Sequence, residues 1–158
     1  MKFALSDLTL TSSAFSDNGF MPRQYSGEGA NVSPPLSWTK VPANTKAFAL
    51  FCHDPAAPLV ASGRYGFTHW VLYNIPGSVT SLPEGVNDYT TGPNDAGRTG
   101  YTGPMPPPGH GPHQYFFWLL ALDEDLRLEP GLSLGQLLER VEPHLLGMNR
   151  LVGLYQRQ

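Results

Sequence analysis

Residues 100–122 read GYTGPMPPPGHGPHQYFFWLLAL. The first half is crowded with Gly and Pro, while the second half, HQYFFWLLAL (113–122), is an almost unbroken apolar run of strand length. Such a run, bounded by turn-forming residues, is the pattern of a strand buried on both faces. Two other stretches share it: KAFALFC (46–52) and THWVLYNIP (68–76), the second closed by Pro76 and Gly77. The chain carries 17 Gly and 16 Pro in 158 residues, well above ordinary usage, and they alternate with these runs. The expectation is a mainly β fold of short strands joined by structured turns.

Outward from these runs the signals weaken. FALSDLTLTSSAF (3–15) has apolar residues near period two and suggests a first strand pair. The segment from Gly19 to Trp38 is irregular; its Pro34-Pro35 pair and Trp38 read as a loop that packs down. Residues 92–112 have no periodicity of their own, and a loop of that length beside a core strand is expected to be ordered and functional. Leu134, Leu137, Leu138, Val141 and Leu145 follow helical spacing, Ser133 with Gln136 forms a capping-box start, and Pro143 should break the helix into two short pieces. RLVGLYQ (150–156) reads as a last strand or extended tail.

With 10 Lys+Arg against 13 Asp+Glu and a formal net charge of −3, the chain lacks the basic patch that nucleic-acid binding requires. Its one cysteine, Cys52, lies in an apolar run, which rules out an intrachain disulfide and a Cys-rich metal site. The N-terminal apolar run ends at Ser6-Asp7, too soon for a signal-peptide core. No stretch reaches the ~20 apolar residues of a membrane span. The reading is one domain over residues 1–158, cytoplasmic, with no membrane insertion.

Polar groups cluster at the ends of the apolar runs. If the first two runs are antiparallel neighbours, Asp54 and His69 share one end of the sheet. Placing the start of the third run at that end adds His113 and Tyr115. Two imidazoles and a phenol can donate to an anion, a carboxylate can orient an imidazole and favour its protonation, and the loop can add backbone N–H groups. Each residue also has a purely structural reading, Asp54 as a turn initiator before Pro55 among them. His53, His110 and His144 look less well placed. No nucleophile elbow, zinc-protease, phosphate-loop or dinucleotide motif is present, and the spacing of the two His and one Asp does not favour a metal site. No cofactor and no catalytic residue is expected.

Four stretches resemble the phosphatidylethanolamine-binding protein family, also called kinase-inhibitor-like proteins, and most closely its small bacterial members. They are DPAAP (54–58), HWVLYNIP (69–76), the 100–122 segment quoted above, and SPPLSW (33–38). The resemblance implies a β-sandwich on a large central sheet with short C-terminal helices. It also implies a pocket for phosphate, acetate or phosphorylethanolamine-like anions. Carried over by position, the pocket is Asp54, His69, His113 and Tyr115, with Met105, Pro106 and Pro107 at the rim. It further implies a protein partner of the kinase or protease type and self-association into a homodimer. A slow phosphoester hydrolase using His69 and His113 as acid and base stands as the alternative. Two departures matter: Ala56 replaces a family Asp and removes a carboxylate at the pocket mouth, and Gln114 replaces an Arg. By strand alternation Gln114 should point away from the pocket.

Overall fold

The structure, a computed structural model, describes residues 5–57 and 65–158. The expectations that touch residues 1–4 and Pro58 lie outside the described residues. Along the described chain the elements are β1 (Thr9–Thr11), β2 (Gly19–Phe20), β3 (Leu36–Thr39), β4 (Ala47–Asp54), β5 (Phe67–Pro76), β6 (Ser81–Leu82), β7 (Thr90–Thr91), β8 (His113–Leu122), α1 (Leu134–Val141) and β9 (Leu145–Tyr155). Six strands form one sheet in the order β2-β9-β8-β4-β5-β7, and β1-β3-β6 form a second. All pairings within these sheets are antiparallel except that of β2 with β9.

The three long apolar runs are the adjacent strands β8, β4 and β5, and each is buried on both faces for a definite reason. Phe48, Leu50 and Cys52 of β4 point into a core shared with Leu10, Leu36, Trp38 and Leu82 of the small sheet. Their neighbours Ala47, Ala49 and Phe51 point the other way, into a second core with Leu128, Leu132, Leu137 and Val141. The large sheet is therefore sandwiched between the small sheet and the α1 region, which explains why alternation is invisible in its sequence.

Ser133 caps α1 as expected: its side chain accepts from the Gln136 N–H while the Gln136 side chain accepts from the Ser133 N–H. Pro143 sits in a single 3-10 turn, Glu142–His144, after which Leu145 opens β9 instead of continuing the helix. Two further expectations change. The described part of the 3–15 segment, residues 5–15, holds β1 without a partner strand of its own, because β1 pairs with β3. The supposed loop around Trp38 is itself β3, with Trp38 3 % exposed and edge-on to Phe48 at 5.2 Å.

β5 is longer than its partner. Its ten residues lie against the eight of β4, and the register slips once between Cys52 and His53 and once between Phe48 and Leu50. Each slip is a β-bulge holding one surplus residue on β5. At the second, Asn74 takes φ 57° and its side chain binds Leu128 and Thr90. At the first, the surplus residue is His69, since Cys52 faces Trp70 and His53 faces Thr68.

Candidate functional site

The bulge at His69 makes the site possible. In a regular strand His69 would point opposite to Trp70, out of the inter-sheet core. The extra residue rotates it onto the inner face, where it is 5 % exposed and meets the Tyr115 ring edge-on at 5.1 Å. On the neighbouring strands Asp54 ends β4 and His113 and Tyr115 begin β8 on that same face. The antiparallel neighbours assumed from sequence are the ones observed. A cavity of about 390 Å³ opens there, lined among others by Asp54, Phe67, His69, Met105, Pro106, Pro107, His113 and Tyr115. All seven residues named from sequence line it.

Asp54 is both turn initiator and imidazole partner. One carboxylate oxygen accepts from the Ala56 N–H at 2.8 Å and the other from His113 Nδ1 at 2.7 Å, with both residues buried. The remaining nitrogen of His113, Nε2, lies 2.7 Å from Nδ1 of His110. His110, which looked poorly placed in the sequence, thus extends the buried pair to the surface. The glycines on either side hold φ of +72° and +83°, conformations that bend the chain back so that the ring can reach. His53 and His144 have partners elsewhere, the Tyr65 carbonyl and the Asp123 and Glu124 carboxylates respectively.

His69 differs from the donor expected of it. Its Nδ1 donates to the Thr102 carbonyl at 2.8 Å, while the Thr102 N–H donates back to the His69 carbonyl at 3.0 Å. Burial lowers its pKa from near 6.5 to about 4, only partly opposed by the Thr102 carbonyl, Asp54 and Asp95. The ring is therefore neutral, with its proton on Nδ1 and a lone pair on Nε2. Burial, reinforced by the Asp54 charge, pushes the Tyr115 phenol far above its usual range, so it remains a donor. Neither His69 Nε2 nor the Tyr115 hydroxyl has a hydrogen-bond partner among the described residues.

The proline-rich wall is ordered by segments that sequence reading passed over. The Gly27 N–H binds the Pro104 carbonyl, the Asn31 side chain accepts from the Gly103 N–H, and the Tyr101 hydroxyl donates to the Tyr25 carbonyl. A Cβ on Gly103 would run into the Tyr25 carbonyl oxygen, so this close approach requires glycine. From the other side the Arg157 guanidinium donates to the Pro106 carbonyl and the Arg157 carbonyl accepts from Gly109. Gln114 is exposed and turned away from the cavity, as alternation predicts. Ala56 is exposed beside the mouth.

Asp123, Glu124 and His144 bring three ligand atoms within 4.8 Å of one another, but they lie past the far end of β8 from His113. No helix among the described residues is long and apolar enough to cross a membrane.

The sequence profile of the phosphatidylethanolamine-binding protein family matches residues 11–156. A UPF0098 protein of Methanothermobacter thermautotrophicus is 46% identical over 157 residues, covering 95% of this chain and 99% of the relative. A UPF0098 protein of Pyrococcus horikoshii is 41% identical, covering 93% of this chain and 76% of the relative. Among solved structures, a phosphatidylethanolamine-binding protein homologue from Chlamydia trachomatis superposes with a TM-score of 0.88 at 37% identity, covering 96% of this chain and 98% of its own. YbcL of E. coli, described as a member of the mammalian family, gives 0.87 at 28% identity, covering 97% and 100%.

Proposed function

Because the chain belongs to the phosphatidylethanolamine-binding protein family, we propose that it binds a small anion or phospho-ligand in the cavity between β4, β5 and β8, and acts by binding without turnover. One observation carries this reading: an open cavity into which two buried residues present a phenol donor and an imidazole nitrogen, neither with a hydrogen-bond partner among the described residues. Both atoms remain open to the cavity, where a bound oxyanion can replace water by pairing with them. The hydrogen-bonded loop wall lowers the ordering cost of binding. Among the described lining residues there is no Ser or Cys beside either imidazole to serve as the nucleophile of covalent hydrolysis.

With this ligand function we propose the wider role implied by the resemblance, a cytoplasmic homodimer that modulates a kinase or protease partner. Titration with phosphate and phosphorylethanolamine, followed through the His69 and His113 ring resonances, tests the pocket. Saturable shifts of both rings, lost in Tyr115→Phe/His113→Ala, are expected. Unmoved rings sink the reading, and steady release of phosphate from a phosphomonoester would replace it with the hydrolase.

A further inference from the structure

The charges around the cavity restrict which anion it accepts. No Lys or Arg among the described residues lines it, while the Asp54 carboxylate does. The Arg157 charge is felt at Tyr115, but the residue is not part of the lining; its Nε donates to the Pro106 carbonyl behind the wall. A fully ionised dianion placed beside Asp54 would meet a like charge with no cationic side chain among the described lining residues to offset it.

The hydrogen-bonding inventory restricts it further. Asp54 is acceptor-only, and each of its oxygens already accepts one hydrogen bond, from the Ala56 N–H and from His113 Nδ1. His113 cannot release Nδ1 without leaving a buried carboxylate unpaired, so only its Nε2, now facing His110, is open to exchange. Tyr115 offers a donor. His69 offers an acceptor, because a carbonyl oxygen can only accept and Thr102 therefore fixes the ring proton on Nδ1. The groups that bear on His69 include Asp54, Asp95, His53, Phe67, Tyr115 and the Thr102 carbonyl, none of them a permanent cation. A ligand that satisfies both free groups must accept one hydrogen bond and donate another.

We infer that the pocket selects singly charged oxyanions that still carry a proton, such as the phosphate monoanion or a phosphomonoester monoanion, over sulfate, and that His69 Nε2 is the selecting atom, accepting the ligand's O–H. This rests on the anion-pocket reading above. Sulfate has no proton to give, and leaves His69 unpaired unless the buried ring is charged.

The test is calorimetric titration of the full chain with inorganic phosphate and with sulfate, at matched ionic strength and about pH 6, where phosphate is largely singly charged. Phosphate is expected to bind at least roughly tenfold more tightly, the size of one buried polar group left unpaired. In His69→Gln, whose amide can also donate, the ratio should shrink by roughly threefold or more. Equal affinities in the wild type, or an unchanged ratio in folded His69→Gln, overturn the inference while leaving the anion pocket standing. Binding of neither anion removes the pocket reading itself. Should His69→Gln fail to fold, nitrogen NMR of the wild-type ring decides: Nε2 unprotonated at saturating phosphate supports the inference, and an imidazolium there overturns it.

Discussion

The two walls of the pocket are built by different physics. The strand wall, β4, β5 and β8, is fixed by sheet ladders and by apolar packing on both faces. The wall formed by residues 101–110 has no ladder. It is held by individual hydrogen bonds to the 25–31 segment, to Arg157, to His69 through Thr102 and to His113 through His110. Stability should therefore concentrate on the first wall, and adjustability on the second.

The largest effect is expected where the strand wall meets the core. Phe117→Ala, at a fully buried position of β8, should cost about 3–5 kcal/mol in denaturant unfolding. A loss no larger than that of a surface substitution would break the contrast. The next effect comes from the buried imidazole at the boundary of the two walls. The pKa of His69 is about 4 in the folded protein and near 6.5 when exposed, so the unfolded chain takes up the proton first. Stability is unreduced above pH ~6.5 and falls towards about pH 4 by an amount on the order of 3 kcal/mol. The pH dependence of unfolding in that window should flatten in His69→Gln. A saturating protonated oxyanion should protect the wild type. The smallest effect belongs to the loop wall: Arg157→Ala should change global stability by about 1 kcal/mol or less. It should nevertheless speed hydrogen exchange at the Gly109, His110 and Gly111 amides while β8 exchanges as before. Equal acceleration in β8 would show the two walls to be one cooperative unit.

The same division governed what the sequence revealed. β4, β5 and β8 were legible because burial on both faces leaves a continuous apolar run. The four polar residues at their ends could be brought together from strand order alone. β3 was not legible: four residues beginning after Pro35 look like a turn until β1 and β6, distant in sequence, pair with them. His110 was missed because its partnership with His113 depends on left-handed glycines on either side. A Gly-His-Gly pattern was the available signal. The role of His69 was read as a donor because only a backbone carbonyl, Thr102, fixes its tautomer, and residue types do not disclose that.

A strand that carries ten residues where its partner carries eight also changes what a small genetic lesion does. Loss of one codon inside a core strand ordinarily turns everything beyond it inside out. Loss of codon 69 would do the opposite. Thr68 would follow Trp70 against His53 and Cys52 in uninterrupted pleat, and the sheet would gain a regular ladder. The product would be a well-paired protein whose pocket keeps Asp54, His113 and Tyr115 but has lost the His69 acceptor, a deletion that alters the chemistry and spares the fold.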